Sequence, residues 1–210
     1  MFDYNAETGT IRAYGVIGPY EDGIDEADFM QAFDEIGGDD VTIVLKSPGG
    51  SVDSGQSIYN QIQNYPGRVT VHVDAAAHSI ASYFPMAADE VTVSENAVMM
   101  VHDPWAVAMG NSREMRGVAE VLDVLADVIA QGYAEKSGRH ANYWRQVMEK
   151  DTYFNASEAL EVGLVDGIAK AVTKPRRAAA ETTLAPVATL PAAFATKQIA
   201  ARLRLRTKNG

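Results

Sequence analysis

Short runs of β-branched residues, separated by stretches with helical spacing, constrain this chain more than any other feature. V-T-I-V-L-K at 41–46 is nearly continuous in apolar character. V-T-V-H-V-D follows at 69–74, E-V-T-V-S at 90–94 and A-V-M-M-V-H at 97–102. A strand without polar alternation is the expectation for a parallel sheet covered on both faces. An earlier run, I-R-A-Y-G-V-I-G-P-Y, opens as a strand and stops at Gly18-Pro19. Between the runs, D-E-A-D-F-M-Q-A-F-D-E-I-G-G predicts a capped amphipathic helix, with Phe29, Phe33 and Ile36 on one face and Gly37 ending it. Ser54 to Gln63 predicts a second helix, with Ile58 and Ile62 one turn apart. A short helix follows Ser79, and residues 112–135 carry the longest helical pattern, with Met115, Ala119, Leu122, Leu125 and Ile129 in register. Two more helices are predicted over 141–150 and from Ser157 to Gly163. Strands alternating with helices predict an α/β fold, and the rhythm suggests stacked ββα units.

Charge divides the chain in two. Residues 1–169 hold nine of the 18 Lys and Arg and 27 of the 28 Asp and Glu, a net charge of −18. Residues 170–210 hold the other nine basic residues and only Glu181, a net charge of +8. The expected organisation is therefore a domain over 1–170 and a basic, Ala/Pro-rich linker and tail over 171–210. An acidic body argues against nucleic-acid binding by the folded part. No stretch approaches the length of uncharged apolar sequence that a membrane span requires. The N-terminus lacks the basic-then-apolar layout of a signal peptide. With no cysteine, there is neither a disulfide framework nor a thiolate metal site. A cytoplasmic location is the expectation.

Three distant segments could make one hydrolytic site: D-A-A-A-H-S-I-A-S around Ser79, M-M-V-H-D-P-W around His102, and K-D-T-Y-F-N-A-S-E-A-L around Asp151. Serine becomes a nucleophile when a histidine takes its proton and a carboxylate orients that histidine. Ser79 follows a strand where a helix begins, so free N–H groups and a positive dipole end would face a developing oxyanion. Read alone, it is first an N-cap serine with small packing neighbours. Ser82, one turn on, is the rival nucleophile. S-P-G-G at 47–50 is a tight turn whose glycines allow close approach of a ligand, an N–H aimed at the oxyanion, or pairing with an extended peptide. His102 ends a strand, where sites gather in α/β folds. His78 should diverge from its neighbour Ser79, while His72 and His140 read as structural or solvated. Asp103 rivals Asp151 as the orienting acid, but adjacent residues on a strand point to opposite faces.

Each segment alone is weak, and together they resemble one family. S-P-G-G-S-V at 47–52, S-G-x-x-I-Y after it, A-A-x-S-x-A-S at 76–82, A-A-D-E-V at 87–91, M-M-V-H-D-P-W at 99–105, G-N-S at 110–112 and S-E-A-L-E-V-G-L-V-D at 157–166 are similar to the ClpP-like serine peptidases. The resemblance spans roughly residues 10–170. H-x-P-W followed by G-N and a long helix resembles the phage head maturation (prohead) proteases of that family. The resemblance implies the ClpP/crotonase-like stacked ββα superhelix with a long oligomerisation helix. It also implies a homo-oligomeric ring, in some members two stacked rings. It implies Ser79 as nucleophile, His102 as general base and Asp151 as its orienter. Gly50 and Ile80 would supply the oxyanion-hole N–H groups, and Gly49 and Ser51 are assigned to substrate binding. No metal and no cofactor are implied.

The function expected is an ATP-independent serine endopeptidase acting on capsid or scaffold protein, in the host cytoplasm or the prohead. The alternatives are a general ClpP-like subunit fed by an AAA+ unfoldase, an inactive ring-forming assembly subunit, or a CoA-binding crotonase relative. Three residues depart from the pattern. Ala75 stands where a glycine is usual, and His78 replaces a small residue where its ring could crowd the oxyanion hole. Pro85 falls inside the helix after Ser79, tolerable only near its first turn.

Overall fold

The computed structural model describes residues 1–169, so the expected basic tail at 171–210 lies outside the described residues. In chain order the elements are β1 (Phe2–Asn5), β2 (Thr10–Tyr14), α1 (Glu26–Ile36), β3 (Val41–Ser47), α2 (Val52–Asn64), β4 (Val69–His78) and α3 (Ile80–Tyr83). A 3-10 turn, Phe84–Ala87, leads to β5 (Glu90–Ser94), β6 (Val98–Val101), α4 (Ser112–Ser137) and α5 (Ala141–Met148). The described part closes with β7 (Thr152–Asn155), α6 (Ala156–Val162) and β8 (Gly167–Ala169). Helix ends follow local chemistry. Asp25 and Asp28 form a reciprocal capping box on α1, and Asn111 with Glu114 forms another on α4. Pro85 sits in the first turn of the 3-10 segment, where its missing N–H costs nothing.

The sheet runs β1-β2-β3-β4-β5-β8, parallel from β2 onward, with β1 antiparallel at one edge. Strand β4 decides where the site falls. Its first half, Thr70–Val73, pairs with β5, while its last residues, Ala76–His78, pair with β6. The sheet thus forks along one strand. The fork brings the end of β4, just before Ser79, alongside β6, which ends just before His102. Strand β7 then pairs antiparallel with β6 and returns the chain from Asp151 to the same place.

Burial corrects one expectation. Val41, Ile43 and Leu45 of β3 are buried, but Thr42 and Lys46 are exposed and Val44 only half-buried. Strands β4 and β5 likewise put fully buried residues mainly on one face. The buried face joins Phe29, Phe33, Ile58 and Ile62 of α1 and α2 in one core. The apolar run at 41–46 is therefore a strand packed by helices on one side only. Strands β1, β7 and β8 were not apparent in the sequence; each is only three or four residues long, and none is an apolar run.

Candidate active site

Ser79 occupies a sharp turn between β4 and α3, at φ 56° and ψ −133°. That combination is strained for a residue with a Cβ and persists only where the surroundings enforce it. Here Ser79 N–H donates to Met100 O at 2.8 Å, fastening the turn to β6. The side chain makes no capping bond to the helix. Instead Ser79 Oγ lies 2.7 Å from His102 Nε2. The N-cap reading of Ser79 therefore gives way to a serine turned out of the helix toward a histidine, the geometry of a strained strand-to-helix elbow. The rival Ser82 is fully buried, with its hydroxyl among Ser79 O at 2.6 Å, Met100 O at 2.9 Å and Tyr133 Oη at 2.8 Å. It locks the elbow from beneath and has no access to substrate. Tyr133, wholly buried there, has its phenol pKa pushed up by that burial.

Asp151 Oδ1 lies 3.8 Å from His102 Nδ1, near the ring but beyond hydrogen-bond length. The carboxylate is 72% exposed, and its backbone is held at φ 50°. Resting-state catalytic hydrogen bonds are commonly long and tighten when substrate binds. Asp103, the rival, faces elsewhere: its Oδ1 takes a bond from Arg145 Nη1 at 3.1 Å. Burial raises its carboxyl pKa, and the Arg145 charge opposes that shift. His72 bridges Thr92 Oγ1 and Ser94 Oγ across β4 and β5, and His140 caps α5 without a side-chain bond.

The S-P-G-G turn lies against Ser79. A Cβ at Gly49 would fall 2.6 Å from Ser79 Cβ. Gly49 O and Ser51 N–H are both paired with Ile17, while Ser51 Oγ caps α2 through Ser54 N–H. The N–H groups of Gly50 and Ile80 find no partner among the described residues. Gly50, Ser51, Ser79 and His102 line one cleft of about 850 Å³. Its far wall is the first half of α4, through Val118, Val121, Leu122 and Leu125, and the loop carrying Trp105 and Val107. The family resemblance implies an oligomerisation role for this helix and says nothing of a share in the cleft; Leu122 and Leu125, two of its regularly spaced apolar residues, were the signal for it. His78 corrects another expectation. It lines a separate cavity of about 380 Å³ with Tyr14, Lys46 and Pro48, and meets Tyr153 edge-on, so it does not crowd the cleft. Burial lowers its pKa, and its Nε2 is enclosed without a partner.

Fold and geometry define an α/β protein built around a serine–histidine pair at the ends of neighbouring parallel strands. The sequence profile of the Clp protease family matches residues 28–172. The chain is 32% identical over 133 residues to an ATP-dependent Clp protease proteolytic subunit of Ligilactobacillus salivarius, covering 62% of this chain and 68% of that protein. It is 31% identical over 140 residues to ATP-dependent Clp protease proteolytic subunit 1 of Chlamydia muridarum, covering 62% of this chain and 70% of that one. Among solved structures, a single-residue mutant of ClpP1 from Listeria monocytogenes superposes with a TM-score of 0.68 at 21% identity, covering 80% of this chain and 94% of that one. The chain belongs to the Clp protease family, and its fold is the ClpP-like α/β fold.

Proposed function

We propose that the protein is a serine endopeptidase subunit with Ser79, His102 and Asp151 as its triad. The observation that carries this reading is the 2.7 Å contact between Ser79 Oγ and His102 Nε2 on a strained turn. Ser79 Oγ attacks the peptide carbonyl carbon as its proton passes to His102 Nε2. Asp151 steadies the imidazolium by closing on Nδ1. The unpaired N–H groups of Gly50 and Ile80 receive the oxyanion. His102 then protonates the leaving amine, and water, deprotonated by the same ring, hydrolyses the acyl-enzyme. Gly50 and Ser51 form the cleft wall along which an extended peptide lies, with Gly49 abutting Ser79. The chemistry needs no metal, cofactor or ATP.

The subunit works in a homo-oligomeric ring. Val121, Val124 and Val128 support this: they form an apolar row along α4 that is 59%, 62% and 47% exposed in the single chain. The relatives' names, those of ATP-dependent proteolytic subunits, favour a general proteolytic subunit; in that role an AAA+ unfoldase would deliver folded substrates. A narrower role in phage head maturation rests on H-x-P-W at 102–105 followed by G-N and the long helix. The decisive experiment is fluorophosphonate labelling with adduct mapping, beside Ser79→Ala and His102→Ala. Labelling confined to Ser79 and lost in both variants is expected. An assembled, unlabelled and proteolytically silent protein would overturn the proposal. Degradation of a folded protein only with ATP and an unfoldase favours the general role; cleavage of capsid or scaffold protein without them favours head maturation.

A further inference from the structure

Helix α5 reaches both backbones that carry the histidine and the acid. Met148 O, at its C-terminal end, accepts the N–H of Asp103 at 3.2 Å and that of Asp151 at 3.2 Å. Thr152 Oγ1 adds a 2.7 Å bond to Val147 O. One carbonyl thus joins the residue after His102 to Asp151 itself. The helix is anchored by Trp144 and Met148, both fully buried, with Trp144 packed on Tyr133 of α4.

One turn before Met148, Arg145 meets three carboxylates. Its Nη1 lies 3.1 Å from Asp103, its Nε 3.2 Å from Asp127 and its Nη2 3.7 Å from Asp123. Asp123 and Asp127 are exposed residues of α4, at 77% and 74%, so their pairs add little stability. Geometry is the better account. The guanidinium is planar, and its separate N–H groups can hold Asp103 and the two α4 acids at once, which an ammonium on a flexible stem does less well. Asp103 is part-buried beside the base, and α4 walls the cleft.

We propose that Arg145 is a positioning residue for the hydrolysis: through Asp103 it holds His102 in place over Ser79, and through Asp123 and Asp127 it ties that placement to the α4 cleft wall. This rests on the triad reading above. Without the guanidinium, three carboxylates repel one another, and the segment after His102 loses its side-chain tether. Among the described residues, the bond from Asp103 N–H to Met148 O then remains as its hydrogen bond to α5.

The test is steady-state hydrolysis of a fluorogenic peptide by the full chain, with Arg145→Gln, Arg145→Lys and Arg145→Gln combined with Asp103→Asn. Small misplacement of a reacting group costs up to about 10²-fold, so Arg145→Gln is expected to lower kcat about tenfold while KM stays within about threefold. Arg145→Lys should fall between Arg145→Gln and wild type. Adding Asp103→Asn should return part of the loss, since it removes the stranded carboxylate. If Arg145→Gln does not assemble, Arg145→Lys alone decides the matter by its own fall in kcat. Wild-type kcat in the assembled variant, a change confined to KM, or no recovery in the double variant would overturn the inference. Ser79 labelling of the wild type is measured first. Its absence would sink the triad reading, whereas normal labelling with an unchanged variant kcat would sink only the role of Arg145.

Discussion

Replacing Gly49 with alanine tests whether the S-P-G-G turn holds the nucleophile in place. Gly49 has φ +98°, and a new Cβ would stand 2.6 Å from Ser79 Cβ, 2.8 Å from His78 O and 3.2 Å from Ser79 Oγ. Reaching 3.4 Å, the short end of ordinary contact, requires Ser79 and the turn to part by about 0.8 Å. The Ser79–His102 contact is 2.7 Å, so a shift of that size along it would end the hydrogen bond. Backbone strain at positive φ adds about 1–3 kcal/mol, and overpacking about 1–3 kcal/mol. For a domain of this size each kcal/mol lowers Tm by about 2–4 °C. The expected kinetic result is a loss of about 10²-fold in kcat, with a matching fall in the rate of fluorophosphonate labelling. Gly37→Ala is the control. It also has positive φ, but a Cβ there meets nothing within 4 Å. It should cost about 1–2 kcal/mol through strain alone and leave kcat unchanged. A folded Gly49→Ala protein that hydrolyses peptide and labels at the wild-type rate would refute the argument.

Two further outcomes are expected. Ser82→Ala removes the hydroxyl beneath the elbow and strands the buried Tyr133 phenol, costing about 1–3 kcal/mol in urea denaturation; labelling should remain at Ser79, and an adduct mapped to Ser82 in the wild type would make Ser82 the nucleophile instead. His78 gives a pH dependence. Its folded-state pKa lies below the ordinary 6.5, so the unfolded chain takes up the proton first. Its contribution to stability is therefore full above about pH 6.5 and is lost as the pH falls below it. His78→Ala should show a smaller loss of urea midpoint between about pH 8 and pH 5 than the wild type, and parallel losses would contradict the burial argument.

The α/β class and the helix caps were legible because they depend on local chemistry, whereas the approach of S-P-G-G to Ser79 was implied only by the family resemblance. β-branched runs, capping pairs and consecutive glycines carry their physical preference wherever they occur. The long helix was legible too, ending at Ser137 rather than at Glu135 because Gly138 supplies the left-handed cap. Covering of the sheet was misread because apolar content does not say which face another element will occupy. The antiparallel return of β7 was missed because T-Y-F-N carries little strand pattern; its pairing comes from β6.

By itself, then, the sequence determined most of the elements, the family and the residues competent for acid–base and nucleophilic chemistry. Tertiary structure alone gave the rivals their different surroundings. Ser79 is turned out and Ser82 buried because the fork in β4 fastens the elbow to Met100. Asp103 is taken by Arg145, leaving Asp151 nearest the free side of His102. His78, sequence neighbour of Ser79, faces another cavity. Such choices rest on contacts between residues far apart in the chain, and no local preference encodes which of two similar side chains meets a third.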